Sequence, residues 1–220
     1  MLSLVWKDAI IQKRSWPMVV FLAALMHVAF AAVPSGAYSA GALAAAYSLI
    51  LGACVYDEKN KSDVLWCSLP VKRRTIVGAK YVSALIFSLA SVALSALTGA
   101  IMKGLNLPVS KAHITPLLAF GTIAAIAFFC ALYFIVYFKY GYAKSRYFSV
   151  IIYVLMFFLP QLAAAKLQGR GELALRFINW LQKSGSVSWG VYVIAEAAVG
   201  LMLMLSYLIS VRVYQNKDVI

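Results

Sequence analysis

Acidic side chains are scarce in this chain of 220 residues: 7 Asp and Glu stand against 20 Lys and Arg, and charged residues of both signs make up only 12%. Soluble domains carry about 25% charged and about 45–50% apolar residues, whereas here 64% are hydrophobic and the mean hydropathy is +0.86. An ordinary water-soluble enzyme is therefore excluded. The formal charge of +13 is no nucleic-acid footprint either, because the basic residues lie between long apolar runs rather than along one polar face. Of the 3 cysteines, Cys54 and Cys130 fall inside apolar runs and Cys67 in a polar segment, so neither a disulfide nor a metal site is expected. The sequence holds no G-x-x-x-x-G-K-[ST], no H-E-x-x-H and no G-x-S-x-G, and no apolar run carries a pair of carboxylates. It has no nucleotide-binding loop of that kind, no recognisable hydrolytic constellation and no internal repeat.

What is present is apolar sequence in membrane-sized lengths. A bilayer core about 30 Å thick takes roughly 20 helical residues to cross. Six uncharged stretches approach or exceed that length: Pro17–Val33, Tyr38–Tyr56, Tyr81–Met102, His113–Phe138, Tyr147–Ala165 and Trp189–Val211. Spans of this kind read as helices, since lipid offers an open backbone no other partners. The fold class expected is all-α integral membrane, one domain over 1–220 with six transmembrane helices. The first span has the basic start and the Ala29-x-Ala31 of a signal peptide, but its apolar run is too long and five more follow, so it reads as a retained helix. With the N-terminus inside, fourteen of the 20 Lys and Arg residues fall on the inner side and six on the outer, which places both ends in the cytoplasm.

Three polar segments carry further information. In residues 1–16, Leu2, Trp6 and Ile10 are four apart, with Lys7, Lys13 and Arg14 elsewhere around the helix, the pattern of an amphipathic helix lying in the membrane interface. In the 57–80 loop, Asp57 and Glu58 suit the positive end of a short helix that Pro70 stops. There Val64, Leu65, Trp66, Cys67 and Leu69 are too apolar to face water and need a covering surface, lipid headgroups or another protein. Lys72, Arg73 and Arg74 read as a positive-inside anchor. In residues 169–188, Leu173, Phe177 and Leu181 define an outer amphipathic helix or re-entrant hairpin, serving as an interfacial anchor or as a lid over an exit path.

Glu196 is the one acidic residue inside a span, about 10 Å in at the helical rise per residue. Charges at that depth face a bundle interior or water, so Glu196 is either a pathway residue or a carboxyl hydrogen-bonded to a neighbouring helix. His27, alone in the first span, reads as a helix-packing group, and the small residues of Ala40–Ala46 and Ser83–Gly99 as sites of close helix approach.

The 57–80 loop also carries a resemblance. Asp57-Glu58 after the second span, Asn60-Lys61-Ser62, Leu65-x-x-Ser68-Leu69-Pro70-Val71, Arg73, Ile76-Val77 and Lys80-Tyr81 together resemble the type-2 ABC-transporter permease family. The nearest branch is that of small six-span permeases, including those of phenol-soluble-modulin and bacteriocin-type peptide exporters. The resemblance implies a permease without its own ATPase site, in a bacterial cytoplasmic membrane, that binds no cofactor itself. ATP and Mg would sit on a separate cytoplasmic ABC ATP-binding subunit, and a second permease copy, identical or paralogous, would complete the pathway. It also implies that a coupling helix at about Glu58–Leu69 docks on that subunit. Val64, Leu65, Trp66 and Leu69 would make the apolar contact, with Glu58, Lys61 and Asp63 as polar neighbours. The cargo would be an amphipathic peptide or lipid-like molecule moved outward, with Glu196 on the pathway wall near its outer end. A different class stays open: an immunity or sensor protein that binds a membrane-active peptide without transporting it.

Overall fold

The structure, a computed structural model, describes residues 2–31, 34–60, 62, 72–105, 116–168 and 189–216. Among these every regular element is helical: α1 (Leu2–Ile11), a 3-10 turn (Gln12–Arg14), α2 (Trp16–Ala29), α3 (Pro34–Lys59), α4 (Arg73–Gly104), α5 (Pro116–Gln168) and α6 (Trp189–Gln215). Four of them, α3 to α6, contain stretches long and apolar enough to cross a bilayer, and α1 with α2 passes the same test as a pair bent by 71°. The bend falls where the 3-10 turn meets Pro17, which is tolerated in the first turn of α2 because its missing N–H would have no helical partner there.

The expected fourth and fifth spans are arms of one element. At 53 residues α5 would be about 80 Å long if straight. It breaks at Gly141, whose φ of 75° and ψ of 176° lie outside helical space and in a region almost restricted to glycine. The Tyr47 ring on α3 stands 5.6 Å from Phe129 before the break and 4.6 Å from Tyr153 after it. One ring can touch both only if the arms double back side by side. Residues 139–146, left between these two spans in the sequence, are thus helix on either side of a single glycine.

Helix α3 is the centre of the bundle. Ala40, Ala42, Ala44, Ala45 and Ala46 are buried and let its backbone lie close to its neighbours. On α4 the hydroxyls of buried Ser88, Ser91 and Thr98 donate to carbonyls three residues earlier, while Ser95 reaches across to the Tyr38 carbonyl of α3 at 2.9 Å. His27 is buried on α2, with Nδ1 2.9 Å from the Ala23 carbonyl oxygen. Its ring fits only because two facing residues lack side chains. A Cβ on Gly41 would lie 2.8 Å from His27 Cε1, and one on Gly99 3.1 Å from Nε2. The packing role expected of His27 is what the geometry gives.

Hydrogen bonds and rings join the remaining helices. The Tyr81 hydroxyl on α4 lies 2.7 Å from Ser206 Oγ and 2.9 Å from Ser210 Oγ on α6, and Ser206 donates to the Ala131 carbonyl of α5 at 2.6 Å. Along α5, Phe129, Tyr133 and Tyr137 follow one another at 5.6 and 5.9 Å, four residues apart on one helix face. Outward, Met18 (74% exposed) and Phe21 (68%) form part of a broad exposed apolar surface.

Two boundaries differ from those expected. Helix α4 begins at Arg73 rather than Tyr81 and so carries Lys80 into the bundle as a helical residue. Asp57 and Glu58 do not open a short helix; they belong to the last turn of α3. A helix C-terminus is the negative end of the macrodipole, so carboxylates there need cations.

Candidate functional site at the stems of the 57–80 loop

Those cations are supplied by two other helices. Lys7 of α1 places Nζ 2.6 Å from Asp57 Oδ1 and 3.2 Å from Asp8 Oδ1. Lys80 of α4 donates to both oxygens of Asp8 at 3.1 Å and pairs with Asp57 Oδ2. Asp8, Asp57 and Lys80 are 2%, 3% and 4% exposed, while Lys7 reaches partly to the surface. The cluster holds two cations and two anions. This neutrality is what permits its burial, since removing a lone charge from water costs several kcal/mol that only close partners offset.

The order of the helices brings these groups together. Asp57 closes α3 and Lys80 lies two turns into α4, so their ion pair draws the two stems of the 57–80 loop together. Asp8 lies on the face of α1 opposite the exposed Trp6 and Ile10, the apolar side expected to meet the membrane interface. One turn later Gln12, fully buried, donates through Nε2 to the Leu49 carbonyl of α3. It occupies a notch left by Gly52, where a Cβ would come within 2.8 Å of that nitrogen.

The stems touch the rest of the bundle as well. Glu58 Oε2 accepts the Ala143 N–H at 3.2 Å, just past the break in α5, where a carboxylate complements the exposed donors of a starting helix. Arg73 Nη1 donates to the Tyr214 and Gln215 carbonyls at 3.0 and 2.8 Å, satisfying the end of α6, and its guanidinium lies 5.9 Å from the Tyr214 ring centroid. Arg73 is thus more than the generic basic anchor read from the sequence. Four residues flanking the loop therefore contact α1, the turn just past the α5 break and the terminus of α6.

Of the residues expected to serve docking or the pathway, only Glu58 and Glu196 lie among those described. Lys61, Asp63, Val64, Leu65, Trp66 and Leu69 lie outside the described residues, as does the 169–188 segment. Glu58 faces the α5 break. Glu196 stands near the start of α6, about 28 Å along the helix from Gln215 at the rise per residue, and its Oε1 is buried with no hydrogen-bond partner among the described residues. It is not the sole buried acid expected, since Asp8 and Asp57 are more enclosed. An apolar cavity of about 200 Å³ opens between α4, α5 and α6, lined among others by Tyr81, Leu85, Ile126, Cys130, Met204 and Tyr207. Glu196 does not line it. Cys54 and Cys130 are buried free thiols.

The chain matches the family model described as "ABC-2 family transporter protein" over residues 3–215. It belongs to the ABC-2 transporter family. The match runs from the first turn of α1 to the last residue of α6, so it takes in the charge cluster, the loop and every helix described above. With helices long enough to span a bilayer, this ABC-2 protein is a multi-pass membrane protein of the type-2 permease family, whose members act with ABC ATP-binding subunits. Among curated proteins and solved structures none matches it significantly.

Proposed function

We propose that this chain is the membrane-spanning permease subunit of an ATP-driven exporter, powered by a separate cytoplasmic ABC ATP-binding subunit that docks on the 57–80 loop. The observation that carries this reading is the family match over residues 3–215, together with a loop whose stems are tied to α1, α5 and α6. A loop that only joined two helices would need no such ties. The ATP-binding subunit, with its ATP and Mg, would contact Val64, Leu65, Trp66 and Leu69, flanked by Lys61 and Asp63. Glu58 would mark the start of the docking segment while holding the α5 break.

The chain would cross the membrane six times, through α2, α3, α4, both arms of α5 and α6. The folding back of α5 at Gly141 and its length of about 80 Å support two crossings by that element. The bend of 71° after α1 supports an interfacial helix along the inner face. Contacts of Lys7 with Asp57 and of Arg73 with Tyr214 bring both terminal regions to the loop end, and the excess of basic residues there supports a cytoplasmic placement in a bacterial cell membrane. A second permease copy, identical or paralogous, would complete the pathway. The cargo proposed is an amphipathic peptide or lipid-like molecule moved outward, with Glu196 at the outer end of the wall.

Reconstitution tests this directly. Full-length permease and its ATP-binding subunit in vesicles of phosphatidylethanolamine and phosphatidylglycerol should hydrolyse ATP and transport a fluorescent amphipathic cationic peptide. Leu65→Asp and Trp66→Asp should abolish transport and release the ATP-binding subunit. Peptide binding without any ATP-binding subunit would favour the immunity or sensor class instead.

A further inference from the structure

We propose that Lys7, Asp8, Asp57 and Lys80 form the joint through which the 57–80 loop moves α1, so that α1 is a lever driven by the loop. This rests on the proposed docking of an ATP-binding subunit on that loop. The ion pair of Asp57 with Lys80 makes the two stems a single body, so a push on the loop cannot move one stem alone. Lys7 and Asp8 then fix α1 to that body by the three contacts of 2.6–3.1 Å that run to Asp57 and Lys80. Separating any one of the three enclosed charges from its partners would leave an unpaired charge in a nearly water-free site, so the three helices move together or not at all. One turn further, Gln12 pins the chain to α3 at the Gly52 notch, directly before the 71° bend into α2. Gln12 is the pivot, Lys7 and Asp8 are the driven arm, and exposed Trp6 rides on the outer side of the lever. These are positioning residues, acting on the pathway through α1 and α2.

The balanced variant Lys7→Gln with Asp57→Asn removes one cation and one anion and keeps the Asp8–Lys80 pair. A spin label placed by Trp6→Cys, in a background of Cys54→Ala, Cys67→Ser and Cys130→Ala, reports the lever in the reconstituted complex. The unaltered joint should show a change in label mobility between the nucleotide-free and ATP–vanadate-trapped states. In the balanced variant the ATP-binding subunit should still co-purify and hydrolyse ATP, while that change is lost; Lys80→Arg, which keeps the charge, should retain it. A full nucleotide-dependent change in the balanced variant overturns the proposal and leaves a static staple. Should that variant fail to fold, Asp8→Asn, which leaves the enclosed Asp57–Lys80 pair neutral and cuts the contact of α1 with Lys80, must diminish the change, and an undiminished change overturns the proposal. Absence of the change in the unaltered joint, with the ATP-binding subunit bound, defeats the lever alone. Failure of any ATP-binding subunit to bind the unaltered chain defeats the permease reading and the lever with it.

Discussion

Asp57 and Lys80, at the two ends of the polar loop between α3 and α4, meet in a buried ion pair that Lys7 and Asp8 of α1 complete. The loop is thereby anchored at its base to the helix that precedes every span. Mechanical force applied to the loop reaches α1 through charges that cannot part cheaply.

Loss of Lys7 should be at least as damaging as loss of Asp8. Asp8→Asn leaves the enclosed Asp57–Lys80 pair neutral, and the excess cation, Lys7, has 30% of its side chain exposed to water. Lys7→Gln leaves two enclosed carboxylates to one cation, and breaking a buried ion cluster in this way costs about 3–5 kcal/mol. Thermal unfolding of the two variants in detergent, followed by tryptophan fluorescence, orders them. A Lys7→Gln variant as stable as the unaltered chain would show that the cluster is not enclosed as described.

The His27 pocket makes a second, compensating pair. Gly41→Ala forces a methyl to within 2.8 Å of a buried ring, and overpacking of this kind costs about 1–3 kcal/mol. His27→Ala removes the obstacle while losing its own packing. The double variant should then be more stable than the two single losses added together, measured by the same unfolding assay.

At the α5 break, Gly141→Ala should destabilise by about 1–3 kcal/mol, because an L-residue is strained at the glycine-only backbone geometry found there. A neutral result would place the reversal of α5 at another residue. Cysteines introduced in pairs at Tyr47 with Tyr153 and at Tyr47 with Phe129, in a chain without its native cysteines, should both be joined by a short bifunctional thiol reagent if the arms fold back.

The Tyr81 hydroxyl bridges α4 to Ser206 and Ser210 of α6. Interhelical hydrogen bonds of this sort contribute about 0.6 kcal/mol on average in a membrane bundle. Tyr81→Phe should therefore lower stability only slightly, while Ser206→Ala, which also releases the Ala131 carbonyl, should do somewhat more. A loss of several kcal/mol for Tyr81→Phe would mean that its hydroxyl holds more than these two serines.

Much of this architecture was legible in residue order, and the reason is the bilayer. Apolar runs near 20 residues dictate helices, and Ala40–Ala46 marked the crowded side of α3 before any contact was seen. The reversal at Gly141 was harder to see, because Lys139, Lys144 and Arg146 count in the sequence only as inner-side charges between two spans, when they decorate helical turns beside a break. The charge cluster was missed for a related reason. Lys7 and Lys80 count as topology signals in a chain of net +13, and Asp57 looks like a helix-opening residue until the helix is seen to run past it. The signal lay in the acids. With only 7 of them in the chain, an Asp at position 8, on the opposite side of α1 from Trp6 and Ile10, had to answer to a buried cation.

The most direct measurement is affinity purification of the full-length chain from its native membrane, with the co-purifying proteins identified and ATP hydrolysis assayed. The account predicts a stoichiometric partner carrying G-x-x-x-x-G-K-[ST], with vanadate-sensitive hydrolysis, both lost in Leu65→Asp and Trp66→Asp. A chain that purifies without such a partner, or one that keeps it undiminished in both variants, would contradict the account.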